Sequence, residues 1–293
     1  MITGQLMALC AAMLGAIGSN LYAKLGERLS SDMIGCIRMY LALPLAFVMM
    51  WLSGQNIPSG VPLSAFSAIF SSGFIGFFLC DLFMFKAIVD FGPRETAVVM
   101  TFNPALTALV AFILMGESLS TRQIVGMAVT VSGILIMVCG EGRREKTAST
   151  ALLSGLLCAV LAAFLQTAAD ITAKLSLSDI PVVSSNALRV AGGFVAWAVL
   201  SMVKRKDYTL QMKVFADKKY ALIMILAVVA GPVLGTTLSL SAMAKAPVGI
   251  VKSIVNSSPV FMIPIDYFFR KKKLTLLSVS GTIISVAGVM LLF

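Results

Sequence analysis

Residues 103–133, NPALTALVAFILMGESLSTRQIVGMAVTVSG, and residues 258–288, SPVFMIPIDYFFRKKKLTLLSVSGTIISVAG, are one segment written twice. A single gapless offset of 155 sets Pro104 on Pro259, Leu119 on Leu274, Gly126 on Gly281 and Gly133 on Gly288. The same register reaches back to Gly76 on Gly231 and Ala87 on Ala242. Nearer the start of each half the offset becomes 150 to 151, with Ala23-Lys24-Leu25 on Ala173-Lys174-Leu175, Asn20 on Asp170 and Arg38 on Arg189. Six helix-shaping matches in one register mark a duplicated unit, and the character of that unit narrows the fold.

The unit belongs in a membrane. The chain of 293 residues is 59% hydrophobic and 12% charged, with a mean hydropathy of +0.97, whereas a soluble domain is about 45 to 50% apolar. A crossing helix needs about 20 apolar residues. Ten such stretches fit, at 5–24, 33–53, 67–88, 95–115, 121–139, 150–174, 182–203, 219–243, 247–269 and 274–293. They are too long and too evenly apolar for barrel strands, so the expected fold is an all-α bundle of ten transmembrane helices. No Lys or Arg precedes the first stretch and no polar domain follows it, so it is read as a span and not as a signal peptide. Cys10, Cys36, Cys80, Cys139 and Cys158 all fall in apolar spans without paired spacing and read as small core residues. Without histidine, a Gly-rich phosphate loop or a cysteine cluster, the chain offers no motif for a metal, a cofactor or bound ATP.

Basic residues orient the bundle. Loops after odd-numbered spans hold seventeen Lys and Arg, against Arg122, Lys174 and Lys245 after even-numbered ones. Basic loops stay in the cytoplasm, which places both termini outside. The net charge of +10 then reflects topology and contact with anionic lipid, not nucleic acid. Five spans per half is an odd number, so the second copy enters the membrane in the opposite sense. Inverted repeats of this kind build secondary transporters, with a site near the midplane between two copies that exchange conformations.

Residues 92–139 carry a small-residue turn, Phe102-Asn103-Pro104 within an apolar span, Gly116-Glu117-Ser118-Leu119-Ser120 and the Gly126 to Gly133 spacing. This pattern resembles the EamA repeat of the drug/metabolite transporter superfamily, and the second half repeats it. Arg38, in Cys36-Ile37-Arg38-Met39-Tyr40, and Arg189, in Ala187-Leu188-Arg189-Val190, match the arginine that the family places early in the second helix of each repeat. The resemblance implies five-helix repeats at 1–140 and 150–293 joined by a basic linker at 141–149. It also implies a central cavity lined by helices 1, 3, 4, 6, 8 and 9, and export of small metabolites across the cell inner membrane. Two features depart from the family: Lys271-Lys272 stands where the first half has Gly116-Glu117, and the charge count puts the termini outside instead of in the cytoplasm.

A charge at the centre of a span costs about 2.5 to 3.5 kcal/mol on insertion scales, so each one requires a reason. Asp81, in Phe78-Leu79-Cys80-Asp81-Leu82-Phe83, lies well inside the third span, and its repeat mate is Thr236. A carboxylate among Phe and Leu suits a reversible proton acceptor, with protons as the coupling ion; pairing with Lys252 would instead keep it ionised. Lys252 could also neutralise an anionic group of the substrate, and both charges on one cavity would suit a zwitterion such as an amino acid. Arg38 and Arg189 read either as snorkelling residues or as partners of a helix-end carbonyl or acid. Lys86 and Asp170 sit near predicted helix ends, at an interface or a cavity, and Asp266 pairs at helical spacing with Arg270.

Asn20 and Asp170 are repeat mates, as are Asn103 and Ser258, which precede Pro104 and Pro259. A mid-helix proline frees a carbonyl that a cavity can use. Asn256, Ser257 and Ser258 form a polar strip, read either as substrate-facing or as ordinary interhelical hydrogen bonding. Gly231-Pro232 predicts a kink, the paired glycines of helices 5 and 10 predict close packing, and Ser120 with Gln123 fits a capping box. The candidate substrate-binding residues are Asn20, Asp81, Asn103, Asp170, Asn256, Lys252 and Ser258. The expected partners are a small-molecule substrate, membrane lipid and a coupling proton, for a monomer or homodimer. A different class, a lipid-moving or partner-dependent membrane protein, would show a polar groove open to lipid. An intramembrane enzyme is disfavoured by the lack of a nucleophile and base pair.

Overall fold

A computed structural model describes residues 2–90, 96, 99–139, 149–203, 212–258, 260–261 and 276–292. Its elements are α1 (Ile2–Gly26), α2 (Ser31–Leu52), α3 (Leu63–Phe74), a first π turn (Ile75–Leu79), α4 (Cys80–Asp90), α5 (Asn103–Met115) and α6 (Thr121–Cys139) in the first half. The second half supplies α7 (Ser149–Ser176), α8 (Val182–Val203), a 3-10 turn (Met212–Ala216), α9 (Lys218–Val228), a second π turn (Val229–Gly235), α10 (Thr236–Met243), α11 (Val248–Val255) and α12 (Leu276–Leu292). The described residues are all-helical. Among the described residues six continuous helices are long and apolar enough to cross a membrane, including Leu63–Ile88 and Lys218–Met243, which run through the π turns. Asn103–Met115, Thr121–Ile136 and Val279–Leu292 are shorter apolar helices.

Local chemistry sets the helix ends. Ser30 caps α2 by accepting from the Met33 amide, Asp217 caps α9 through the Lys219 amide at 2.9 Å, and Gly116 ends α5 in the left-handed region at φ 65°. The predicted capping box is present: the Ser120 amide donates to Gln123 Oε1 at 3.0 Å and the Gln123 amide to Ser120 Oγ at 3.3 Å. Cys36, Cys80 and Cys158 are buried free thiols and Cys10 is exposed, while the Cys139 side chain lies outside the described residues.

Pro104 does not kink a helix from within. Thr101 and Phe102 form a turn, and α5 starts at Asn103 with Pro104 in its first helical turn. Proline in that position loses no intrahelical hydrogen bond. The second half breaks at the equivalent place, where α11 ends at Val255 and Asn256 is its C-cap. Pro259, the 141–148 part of the linker and the expected Asp266–Arg270 pair lie outside the described residues.

The two halves pack reciprocally. A Cβ on Gly126 would stand 3.1 Å from the Gly288 carbonyl oxygen, and one on Gly133 would stand 2.7 Å from that of Gly281. Contacts therefore run backwards along α12 as they run forwards along α6, so these two repeat-related helices are antiparallel. In the same way α2 packs on the helix broken by the second π turn and α8 on the helix broken by the first, while α1 meets α11 and α7 meets α5. One apolar cluster, with Ile69, Met243, Val248 and Ile254, gathers where α1 begins; a second, with Leu25, Met33, Trp197 and Met224, gathers where α1 ends.

Candidate functional site

The two π turns are repeat mates, since Gly76-Phe77 falls on Gly231-Pro232 at the common offset of 155. A π turn leaves backbone groups out of register with the α ladder, and such turns gather at functional sites. In the second turn Pro232 has no amide to donate, which accounts for the slip. The first has no proline. There Gly76 leaves room for a neighbour: a Cβ on it would lie 3.1 Å from a terminal nitrogen of Arg189 and 3.0 Å from the Ala169 Cβ.

Helix α8 satisfies both turns. Trp197, fully buried, donates its indole N–H to the Phe77 carbonyl at 2.5 Å. Asn186 Nδ2 lies 2.9 and 3.1 Å from the Pro232 and Val233 carbonyls and 2.9 Å from Thr237 Oγ1. Close packing makes this possible, because a Cβ on Gly35 would fall 2.5 Å from the Trp197 ring.

Four buried charges and the partly buried Arg38 gather between the turns. Asp81 forms a hydrogen-bonded ion pair with Arg38. Asp170, fully buried, lies 3.7 Å from Arg189 through Oδ1 and 2.8 Å from Lys252 through Oδ2; the Lys252 contact is ionic and lacks hydrogen-bond alignment. Gln166 donates to Asp170 Oδ1 at 3.1 Å. Phe77 is flanked by both guanidiniums, Arg38 at 5.8 Å and Arg189 at 5.2 Å from its ring centre, and Arg38 also faces Tyr22 at 5.9 Å.

These groups surround a cavity of about 270 Å³. Four repeat-related pairs line it: Arg38 with Arg189, Gly76 with Gly231, Phe77 with Pro232, and Asp81 with Thr236. Tyr22, Gln166, Ser239 and Lys252 complete its polar wall. The cavity therefore sits where the two repeats meet.

Of the residues singled out from the sequence, Asp81 and Lys252 line the cavity and Asp170 lies behind the wall as the counter-ion of Lys252 and Arg189. The alternative of an Asp81–Lys252 pair is not realised, because Arg38 reaches Asp81 and Asp170 holds Lys252. Asn20, Asn103, Asn256 and Ser258 lie outside the lining. Asn20 donates to the Ala16 carbonyl of its own helix at 3.1 Å, and Asn103 donates to Thr167 Oγ1 at 3.1 Å. Asn256 caps α11, and Ser258 packs near Gly15, where an added Cβ would be 3.8 Å away. Arg38 and Arg189 are cavity cations instead of snorkelling ones; their symmetric placement in the two repeats was the signal. Tyr22, Phe77, Gln166 and Asn186 had none beyond their spans.

One end of the bundle is cross-linked by an ion pair and its hydrogen bonds. Lys174, at the end of α7, is 3.3 Å from Glu117 after α5, and donates to the carbonyls of Met243, the last residue of α10, and Ala246, between α10 and α11. Glu117 also accepts from the Val248 amide at 2.8 Å, capping α11. Gly4 on α1 packs against the same connection, so this is the end at which α1 begins. The lining runs along α1 from Ala11 to Tyr22, toward the other end.

A solved crystal structure of a protein 15% identical to this chain superposes with a TM-score of 0.77, covering 99% of this chain and 96% of that one, and shows the same fold. No curated protein matches the chain. The EamA-like transporter family matches residues 2–139 and again 153–293, one match for each half of the duplication. The chain is a multi-pass membrane protein and belongs to the EamA-like transporter family.

Proposed function

We propose that the chain is a secondary active exporter of a small metabolite, working by alternating access between two inverted five-helix repeats that make ten crossings of the cell inner membrane. The observation that carries this reading is the cavity centred on four repeat-related pairs, because a site shared by two equivalent halves can be exposed to either face by exchanging their conformations. The antiparallel pairing of α6 with α12 supports the inversion. With both termini outside, as the loop charges indicate, the Glu117–Lys174 tie closes the outer face, and the conformer described is one that loads from the cytoplasm.

Asp81 is the proton-linked group: a proton on its carboxylate would release Arg38 into the cavity. Lys252 meets the substrate, with Asp170 holding it in place, Asn103, Asn256 and Ser258 flank the helix breaks beside the site, and Asn20 stays bonded within the unbroken α1. The test is substrate-dependent proton flux in proteoliposomes containing the purified chain. Asp81→Asn should abolish the proton signal while substrate exchange persists, and Lys252→Ala should abolish both. Flux unaffected by either change would refute these roles. The lipid-moving reading calls for a polar groove open to lipid, and scrambling of labelled lipid in the same vesicles, without solute flux, would replace the proposal with it.

A further inference from the structure

Three of the cavity's lining side chains are cations, Arg38, Arg189 and Lys252, and these are the Lys and Arg residues that the loop count leaves inside spans. Among the described residues they are met by two carboxylates, Asp81 and Asp170. Asp81 compensates Arg38, and Asp170 is shared between Arg189 and Lys252. Gln166 and Tyr22 contribute no charge. Among the described residues one positive charge is therefore left over in a site walled by apolar helices, and an uncompensated charge is strongly disfavoured in such a medium.

We infer that the substrate carries a net single negative charge, delivered by a carboxylate that docks on the Arg189, Lys252 and Arg38 wall. This rests on the transporter reading and names its substrate class. A monoanion brings the occupied site to neutrality, a zwitterion or a neutral molecule leaves the excess in place, and a cation doubles it. A dianion overshoots by one. The hydrogen-bonding inventory points the same way. Arg189 is only 4% exposed, yet its Nε has no partner, and neither does the Nε of Arg38. Arginine presents its donors as a planar fork that fits a carboxylate. The Tyr22 hydroxyl, also without a partner, is a further donor on the same cavity. Size sets a second limit. A cavity of about 270 Å³, near the lower end of small-molecule sites at roughly 300 Å³, suits a compact metabolite against Phe77, Pro232 and Val255.

A matched series separates the charge classes at nearly constant shape: N-acetylvaline (monoanion), N-acetylvalinamide (neutral), valine (zwitterion) and valinamide (cation). Binding of each to the detergent-purified full chain at neutral pH is read by thermal shift, and counterflow is followed in proteoliposomes. N-acetylvaline should bind at least tenfold more tightly than the other three, which corresponds to about 1.4 kcal/mol. Lys252→Gln should reduce that preference to less than threefold, and Lys252→Arg, which keeps the charge, should retain it. Retention by the arginine variant distinguishes loss of charge from misfolding. Tightest binding by valine or N-acetylvalinamide, with counterflow of that compound, overturns the anion inference and leaves the transporter reading standing. Binding of N-acetylvaline without counterflow of any of the four upholds the charge inference and removes the transport reading. Absence of binding by all four overturns the inference.

Discussion

Asp81 and Asp170 are both buried, but they do different work. Asp81 has one partner, Arg38, whose side chain keeps 14% exposure and also lies over the rings of Tyr22 and Phe77. Asp170 has no exposure and holds two cations that themselves are nearly fully enclosed. Removing one member of a buried pair costs about 3 to 5 kcal/mol because the other charge is stranded. Asp170→Asn strands two and should fall at the upper end of that range or fail to fold, while Asp81→Asn strands one that can reach the cavity and should cost less. Thermal unfolding in detergent measures the order. The double variant Asp170→Asn with Lys252→Gln should recover part of the loss, and an equal or greater loss would show that the two residues are not coupled. The sequence singled out all these acids and bases, because a charge in an apolar span is conspicuous wherever it lies. It did not reveal their pairing: Asp81 and Lys252 looked complementary by sign, but pairing is decided by which helix faces stand within a few ångströms.

Helix irregularities place those charges, and they were legible only in part. Gly231-Pro232 announces a kink, and the repeat match of Gly76 with Gly231 could have carried the same expectation to the first half. The π form itself was not legible, since it depends on α8 supplying Trp197 and Asn186 to the displaced carbonyls. Nor does proline alone decide. Pro44 sits inside α2 without ending it, whereas the chain turns just before Pro104 and α5 starts there. The side-chain supports can be tested directly. Asn186→Leu removes the side-chain donor of the Pro232 carbonyl in the core, while Val233 keeps the Thr237 hydroxyl at 2.6 Å, and should destabilise by about 1 to 3 kcal/mol, with faster amide exchange concentrated at 229–241. Pro232→Ala restores an amide and should instead slow exchange there at unchanged or higher thermal stability, while weakening ligand binding because Gly231 and its neighbours leave their positions in the wall. Exchange unchanged in both variants would mean that packing, and not this hydrogen bonding, sets the π turn.

At the scale of the molecule the duplication was plain in the sequence, and the reciprocal packing of the helices follows from it. What breaks the symmetry was also visible as a change of sign, though its consequence required the structure. Glu117 and Lys174 tie one end of the bundle, at 17% and 18% side-chain exposure. Their repeat mates are Lys272 and Lys24, both basic, so the same pair has no counterpart in the other half. Two repeats with equal locks would populate two equivalent states, whereas one lock biases the pair toward the state it closes. A partly exposed ion pair at the end of a bundle contributes about 1 kcal/mol, or a factor of roughly five in population, to which the cap on the Val248 amide adds. The bias should therefore be modest and removable. A cysteine introduced by Ser239→Cys on the cavity wall, in a background without the native cysteines, reports access to an impermeant maleimide from each face. Labelling should come mainly from the cytoplasmic face in the parent, and Glu117→Gln should raise labelling from outside several-fold. Lys272→Glu, which gives this pair of positions the opposite signs of their repeat mates Glu117 and Lys174, should shift access the same way. If labelling stays on one face in both variants, the Glu117–Lys174 tie is a structural clasp and the preference of the molecule for this conformer arises elsewhere; if the parent labels from outside, the orientation drawn from the loop charges is reversed, and with it the face at which the substrate is loaded.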